Sequence, residues 1–500
     1  MSIKDNPLRA EKFRKLHDLR EAGIDPYPHN FKRTHKISEL MIKDSEFQAG
    51  DVKQDLTATI AGRLMTKRPM GKAAFFNVAD QSANMQAYVQ VSELSDIDQQ
   101  AFHLLDIGDI VGVTGYLFKT RKGELSLHVK EFKIICKSVE PLPEKYHGIA
   151  DIEIKYRQRY LDLIMSPETR HVFETRSKII KAFRSYLDAA DFLEVETPVL
   201  QPIYGGAAAY PFSTQHRALD MKLFLKISPE LYLKRLIVGG FEKVYEIGKN
   251  FRNEGIDRSH NPEFTMLEWY EAYTDYFDQM KRFEEIVAYV AKEATGGTKV
   301  IYQDQEIDFT PPWERISVYD AIKKYGNFDV NKASAEQVES EIKKYDPKFH
   351  PHKSTTKGHL IMELFDHTVE PKIIQPTFII DFPVEISPLT KSHRSIPGLV
   401  ERFEPICAGM EIGNSYTELN DPEEQRARLS DQEDQRTVDE EAQPMDEDFV
   451  TAIEVGMPPT GGVGIGVERI VMLLTDQHSI RDILLFPTMK PIKNNSNETD

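Results

Sequence analysis

The strongest constraint on the fold is a period-two alternation from about residue 56 to residue 137. Five segments carry it: LTATIAGRLM (56–65), AAFFNVAD (73–80), MQAYVQV (85–91), IVGVTGYLF (110–118) and ELSLHVKEFKII (124–135). Successive side chains of a strand point to opposite faces, so each segment buries every second residue. Turn-like PMGK, QSAN and TRKG separate some of them. Five short strands within about 80 residues predict a small closed β-barrel.

The alternation also assigns faces. Phe76, Val78, Ala87, Val89, Val91, Leu125, Leu127 and Val129 are expected inside. Phe75, Asn77, Gln86, Tyr88, Gln90, Glu124, Ser126 and His128 are expected outside. Arg63, Lys67, Arg68 and Lys72 lie close by, with no acid among them. An aromatic platform with a basic rim suits unpaired bases, so the barrel is expected to be of the oligonucleotide-binding type. A solvated barrel face is the alternative.

A chain of 500 residues is too long for one ordinary domain. Asn6 to Ala22 predicts an amphipathic helix with Leu8, Phe13, Leu16 and Leu19 near one face, stopped by Gly23. The prolines of GIDPYPHNF predict an extended connector. CKSVEPLPEKYHG (136–148) is a linker candidate, after which the pattern becomes α+β. A long helix is expected from Glu168 to Ala190, and strands plus the helix SPELYLKRLIVGG near 223–274. Residues 275–375 are expected to be mostly helical, with strands returning at PTFIIDFP (376–383) and MEIGNSYTEL (410–419). The acid-rich stretch 421–448 is expected to be solvated helix or loop, since clustered carboxylates resist burial. A glycine-rich strand and a helix then close the fold, and the tail KNNSNETD is expected to be disordered. The expected division is residues 1–50 as N-terminal helix and connector, 51–145 as barrel, 146–492 as a second, larger domain and 493–500 as tail.

Hydrophobic residues make up 40% and charged residues 29%, the balance of a globular protein. The N-terminus lacks an apolar signal region and no run approaches the roughly 20 apolar residues of a membrane span, so a cytoplasmic protein is expected. Two cysteines, Cys136 and Cys407, argue against a disulfide scaffold or a cysteine-built zinc site. The net charge of −17 is uneven. Residues 1–150 hold 22 basic against 20 acidic residues, and the rest 41 against 60. Any nucleic-acid contact therefore falls more naturally in the first part.

Three constellations could carry chemistry. In FRNEGIDRSHNPEFTMLEWY (251–270), two predicted strands, KVYEIGKNFRNEG and EFTMLEWY, flank IDRSHNP. Alternation puts Glu246, Arg252 and Glu254 on one face of the first strand, and Phe264, Met266, Glu268 and Tyr270 on one face of the second. Such a polar face implies a liganded cavity, with a salt-bridge network as the alternative. In RFEPICAGMEIGNSYTELND (402–421), Glu404 and Glu411 are candidate hard-cation ligands, since Mg²⁺ takes carboxylates beside substrate phosphates. Asn414, Tyr416 and Glu418 share a strand face, and Glu411 is out of phase unless the strand breaks near Gly413. In GGVGIGVERIVMLL (461–474), Val467, Ile470, Val471 and Leu474 form an apolar stripe, while Arg469 sits in the first helical turn, where a nearby anion would explain it. The glycines fit neither GxGxxG nor GxxxxGK[ST]. Together these features point to a nucleotide polyphosphate on an antiparallel sheet, held by arginines and Mg²⁺-binding carboxylates.

Over nearly its whole length the chain resembles bacterial-type class II lysyl-tRNA synthetases. FLEVETPVL with Pro198 resembles motif 1, FRNEG…HNPEFTMLEWY motif 2 and GIGVERIVMLL motif 3. AGRLMTKRPMGKAAFF resembles the anticodon-binding barrel, and DFPVEISPL, GMEIGNSYTELNDP, PMDEDF and GMPPTGG resemble the lysine-specific branch. The resemblance implies an OB-type barrel followed by a catalytic domain on an antiparallel sheet flanked by helices. It implies an ATP- and Mg²⁺-dependent ligase that activates L-lysine and charges tRNA(Lys), working as a homodimer around Pro198, with no DNA or membrane partner. Arg252 would hold the α-phosphate and the lysine carboxylate. Glu254, His260 and Asn261 would contact ATP, with Phe264 and Arg469 on either side of adenine. Glu404 and Glu411 would bind Mg²⁺. Gly206, Glu230, Glu268, Tyr270, Asn414 and Glu418 would form the amino-acid pocket, with Glu418 and Tyr270 on the ε-ammonium. Arg68, Phe75, Gln86 and Glu124 would meet the anticodon.

Three positions depart from the family pattern. Asp191 stands where glycine is common, so a looser or rearranged turn is expected there. Glu468 replaces the usual aspartate and Tyr416 the common phenylalanine. Two other functions stay open at this point: lysylation of a protein by a relative, although such relatives lack the barrel, and a non-enzymatic RNA-binding protein on a dead synthetase fold.

Overall fold

The computed structural model describes residues 6–143, 151–352, 354–435 and 443–492. The chain separates into two compact units, Met1–Gly148 and Ile149–Asp500. The tail 493–500, the end of the linker and residues 436–442 of the acid-rich stretch lie outside the described residues.

The first unit opens with helix α1 (Pro7–Glu21), capped by Asn6, whose side chain accepts from the backbone N–H of Leu8 and Arg9. Gly23 follows in the left-handed conformation at φ +72°. Leu16 and Leu19 are buried, but Leu8 and Phe13 stay exposed. Lys12 takes the place expected for them, its Nζ donating to the carbonyls of Ile107 and Ser138.

Strands β1 (Val52–Met70), β2 (Ala73–Ala79) and β3 (Asn84–Gln90), helix α2 (Asp96–His103), and strands β4 (Ile110–Lys119) and β5 (Leu125–Cys136) follow. The strands close a barrel in the order β1-β2-β3-β5-β4. The five expected strands are all present. The inward residues Phe76, Val78, Ala87, Val89, Leu125, Leu127 and Val129 are buried, and Val91 is partly so. Helix α2 is not legible as a helix, because it buries only two residues, Ala101 and Phe102, while its Ile97 faces out. Phe102 reaches the barrel core against Phe76 and Phe132. Ser126, expected outside, is fully buried. It lies on the outward face, but the side chain of Gln86 covers it and donates to its Oγ at 2.9 Å.

The second unit is built on a nine-stranded sheet. Helix α3 (Pro167–Ala189), strand β6 (Leu193–Glu194), helix α4 (Glu230–Val238), strands β7 (Lys243–Phe251) and β8 (Glu263–Ala272), and helix α5 (Tyr276–Thr295) come first. Then come strand β9 (Glu314–Ser317), helix α6 (Lys357–Thr368), and strands β10 (Thr377–Pro383), β11 (Leu399–Cys407), β12 (Met410–Glu411) and β13 (Gly413–Thr417). Helix α7 (Glu447–Gly456), strand β14 (Thr460–Gly466) and helix α8 (Val467–Leu474) complete the set. The sheet runs β9-β10-β11-β13-β14-β8-β7-β6, with β12 on β11. Its interior pairings are antiparallel, and the outermost pair at each end is parallel.

One face of this sheet packs on α3, α5 and α8. Tyr245, Leu267, Trp269, Phe283, Ile465 and Val471 are buried there in one cluster. Trp269 donates its indole N–H to Gln279 at 2.8 Å, so its polar edge is satisfied inside the core. The opposite face carries the polar residues described below.

Two expectations are corrected here. Helices dominate residues 275–375 as expected, but the stretch also holds a hairpin (Lys299–Tyr302 with Gln305–Asp308) and the edge strand β9, which were not expected. The hairpin turns on Gln303 and Asp304, both at positive φ, without the Asn-Gly signature that advertises such turns. The first strand of the 251–270 constellation ends at Phe251, not Gly255. Arg252 N–H still donates to Pro262 O at 2.9 Å, but proline has no N–H to return, so the ladder stops. Asp191, in place of a glycine, takes φ +63° and keeps a tight turn, with its N–H on Asp188 O and that of Phe192 on Leu187 O.

Candidate active site and nucleic-acid interface

A cavity of about 380 Å³ opens on the polar face of the large sheet. Its floor is the glycine-rich strand β14. Gly462, Gly464 and Gly466 sit opposite Tyr270, Glu268 and Met266 of β8. On the other side, Gly462 and Gly464 sit opposite Tyr416 and Asn414 of β13. The intervening Val463, Ile465 and Val467 point into the core. A side chain at Gly462 would collide with the Glu418 carboxylate and the Tyr270 ring, and one at Gly464 would stand 3.1 Å from Met266 Cε. The alternation of glycine with β-branched residues is what leaves two rows of functional side chains room between them. The spacing of two between Gly462, Gly464 and Gly466, which neither GxGxxG nor GxxxxGK[ST] captures, is the sequence signal of this floor.

The β8 row stands as alternation predicts, with Phe264, Met266, Glu268 and Tyr270 all on the cavity wall. Glu246 does not join them. Its carboxylate is buried in an ion pair with Lys226 and accepts from Thr197 Oγ1 at 2.7 Å. Arg252 and Glu254 line the cavity from the segment beyond β7. The Arg252 guanidinium lies 5.2 Å from the Phe264 ring centroid, and its buried Nε has no hydrogen-bond partner among the described residues. His260 and Asn261 line the cavity from the loop, which Asp257 folds by accepting from the N–H of Ser259 and His260.

Glu404 and Glu411 lie on the wall with Arg469 and Asn414. The strand breaks at Ile412, between β12 and β13, and pairing with β11 slips by one residue between Phe403↔Ser415 and Ile406↔Glu411. That slip brings Glu411 into phase. Arg469 donates to the Glu411 backbone carbonyl and pairs with its carboxylate at 3.2 Å. Glu468 anchors helix α8 from below, accepting from Thr265 N–H at 2.9 Å and pairing with Arg176 at 2.8 Å.

Arg402 is a functional-site residue that sequence reading missed, although its spacing of two from Glu404 puts both on one face. It pairs with Glu404 at 2.5 Å and donates to Asn414 Oδ1 at 3.0 Å. Burial pushes the Glu404 carboxyl up to about 7; Arg402 opposes this, and Glu411 and Glu370 add to it. Asp366, on α6, is pushed up to about 8 by burial and then by Glu370 and Glu404. This end of the cavity carries more negative charge than its arginines offset.

At the other end, Gly206, Ser228, Glu230, Glu268 and Tyr270 converge. Gly206 has φ +84°, and a Cβ there would stand 2.9 Å from Glu230 Cβ and Ser228 Oγ. Glu268 accepts from Ser228 Oγ at 2.9 Å and Tyr270 OH at 3.2 Å. Its carboxyl is pushed up to about 8, first by burial and then by the charge of Glu230. Tyr416 donates to Glu230 at 2.6 Å. Glu418 lies just behind the wall, 1% exposed, ion-paired with Lys234. The site is thus a polar trough with arginines in the middle, carboxylates at both ends and an aromatic ring beneath Arg252. Such a trough can hold a polyanion beside a small polycation.

On the barrel, cross-strand pairing sets Arg68, Phe75, Tyr88, His128 and Tyr116 side by side. Phe75 and Tyr88 ring centroids are 5.0 Å apart, and Tyr116 stacks on His128 at 4.7 Å. Gln86 lies on the same face of β3 as Tyr88, and exposed Glu124 closes the turn before β5. The basic rim is narrower than expected. Lys67 points to the carbonyls of Phe102 and Leu105, and Arg63 to that of Gly108, which leaves Arg68 and Lys72 exposed.

A family model described as tRNA synthetases class II (D, K and N) matches residues 151–490, and one described as an OB-fold nucleic acid binding domain matches residues 58–135. The chain belongs to the class II tRNA synthetases of this D, K and N group. Within that class, its similar relatives are lysine–tRNA ligases. That of Clostridium tetani is 51% identical over 494 residues, covering 98% of this chain and 97% of the relative. That of Pelotomaculum thermopropionicum is 51% identical over 488 residues (97% and 95%), and that of Moorella thermoacetica 50% over 489 (97% and 98%).

Proposed function

We propose that this protein is a lysine–tRNA ligase. The observation that carries the reading is a cavity-lining arginine, Arg252, beside an acidic end formed by Glu230 and Glu268 on the wall and Glu418 buried just behind it. One arginine suits an α-carboxylate and an α-phosphate, and the acids suit two ammonium groups. The named relatives support the same reading.

The lysine carboxylate attacks the α-phosphorus of ATP, forming lysyl-adenylate and releasing pyrophosphate. The 3′-hydroxyl of tRNA(Lys) then attacks the acyl carbon and releases AMP. The carboxylate is already ionised at neutral pH, so the first step needs no general base. The protein acts by positioning and charge neutralisation. Arg252 bridges carboxylate and α-phosphate, and Arg469 takes the polyphosphate tail and covers adenine, which stacks on Phe264. Glu254, His260 and Asn261 hold the rest of the nucleotide. Gly206, Glu230, Glu268, Tyr270, Asn414 and Glu418 receive lysine, its ε-ammonium toward Glu418 and Tyr270.

Mg²⁺ fits the other acidic end. Among the described residues, no three His, Cys, Asp or Glu gather in metal-holding geometry. A hard cation held by two carboxylates and substrate phosphates needs no such cage, and Glu404 and Glu411 would be its protein ligands. When bound it would neutralise phosphate charge. In the barrel, Arg68, Phe75, Gln86 and Glu124 read the anticodon. The proposed domains are 51–145 for the barrel and 146–492 for catalysis, and the two matched stretches fall within them. A homodimer is proposed around Pro198, supported by exposed Leu193, Val199, Leu200, Ile203 and Met221 in the same region. The protein is proposed to work in the cytoplasm, on tRNA for protein synthesis.

Pyrophosphate exchange with each amino acid, followed by charging of total tRNA, tests the reading. Lysine-dependent exchange and charging of one isoacceptor family are expected. No exchange with lysine would refute it, and exchange without tRNA charging would favour a protein as the acceptor.

A further inference from the structure

We infer that Lys234 is a positioning residue that sets the charge of the amino-acid pocket and so selects a substrate with one extra positive charge. This rests on the lysine reading above. Lys234 lies one helical turn after Glu230 on α4 and is fully buried. Its ammonium pairs with Glu230 Oε1 at 2.6 Å and with the Glu418 carboxylate. The rings of Tyr416 and Phe449 flank it, at 5.4 and 5.9 Å from their centroids. Tyr416 OH donates to the same oxygen of Glu230, so two donors hold that carboxylate from one side. The other groups facing this cluster are Glu268 and Tyr270, from β8.

The charge count gives the consequence. With Glu268 ionised, the form a bound ammonium favours, Glu230, Glu268 and Glu418 against Lys234 and Arg252 leave one net negative charge, the complement of lysine's one net positive charge. A neutral amino acid would leave a buried charge unmatched, which is costly. Without Lys234 the wall would hold three carboxylates against one distant arginine. Burial pushes the Glu418 carboxyl up, and the Lys234 charge pulls it back. Losing Lys234 therefore pushes the Glu418 carboxyl further up and favours its protonated form, and a protonated acid pairs poorly with an ammonium.

The test is Lys234→Met, assayed by lysine-dependent pyrophosphate exchange from about pH 7 to about pH 9. The lysine KM is expected to rise at least about tenfold near pH 7 while the ATP KM stays within about twofold. The excess over wild type should shrink as rising pH favours the ionised form of Glu418. A lysine KM that is unchanged, that keeps a constant ratio to wild type across pH, or that moves together with the ATP KM would overturn the assignment. If the single variant does not fold, Lys234→Met with Glu418→Gln removes both buried charges. That double variant is expected to fold with a raised lysine KM whose pH dependence is only that of Glu268; a wild-type KM, or failure to fold, overturns the assignment. Wild-type enzyme without lysine-dependent exchange takes down the ligase reading itself, whereas active wild type with an unaltered variant takes down only the role of Lys234.

Discussion

At the scale of single residues, the cavity depends on what is missing at Gly462 as much as on what is present around it. A methyl group there would meet the Glu418 carboxylate and stand 2.8 Å from Tyr270 Cδ1, both packed against buried neighbours. Gly462→Ala should therefore lower kcat/KM for lysine by roughly 100-fold, with about 1–3 kcal/mol of lost stability from overpacking. Exchange kinetics and thermal melting measure the two effects, and wild-type lysine kinetics would contradict the floor role of this strand. Glu268 supplies a second prediction. With its carboxyl pushed up to about 8 by burial and by Glu230, it holds a proton in the empty pocket at pH 7. A substrate ammonium favours the ionised form, so lysine binding should release about one proton at pH 7. Calorimetry in buffers of different ionisation enthalpy reads this directly. Heats that do not depend on the buffer, or release that persists in Glu268→Gln, would contradict it.

At the scale of elements, two devices recur. A strand breaks or stops where a side chain must change face: at Ile412, so that Glu411 joins the cavity, and at Phe251, so that Arg252 and Glu254 leave the ladder. On the barrel, by contrast, unbroken cross-strand register builds the row from Arg68 to Tyr116. Phe75 is the aromatic next to Arg68, so Phe75→Ala should reduce tRNA charging at least about tenfold while lysine activation stays within about twofold, since stacking on a base is worth about 1–3 kcal/mol. Equal loss in both assays would count against the barrel as an anticodon reader. Both devices were partly legible beforehand. Alternation marked Phe75, Gln86, Phe264 and Glu268 correctly because each strand buries one face. It misjudged Glu246, whose partners Lys226 and Thr197 come from outside the two strands it considered.

For the whole molecule, the acid balance and the apolar surface carry the argument. All of the negative balance behind the net charge of −17 falls in the residues after 150, the part that holds the acid-walled cavity. Near Pro198, Leu193, Val199 and Leu200 are exposed, and in the proposed homodimer a second copy of the chain would cover them. Leu200→Glu should shift the protein from dimer to monomer in light scattering and slow exchange with it; a dimer of unchanged stability would place the interface elsewhere.

Local rules were enough for the β-barrel, the long helices, the in-and-out order of most strands and part of the charged set that shares the cavity, Arg252, Glu254, Glu268, Glu404, Glu411 and Arg469 among them. They suffice because alternation and helical periodicity act between near neighbours. Only the tertiary structure decided that Glu246 belongs to a buried ion pair, that Lys67 turns away from the basic rim, that Ser126 lies covered, and that Lys234 stands between Glu230 and Glu418. In each case the deciding partner comes from another strand or helix, and the energy of a buried charge or hydroxyl depends on that partner.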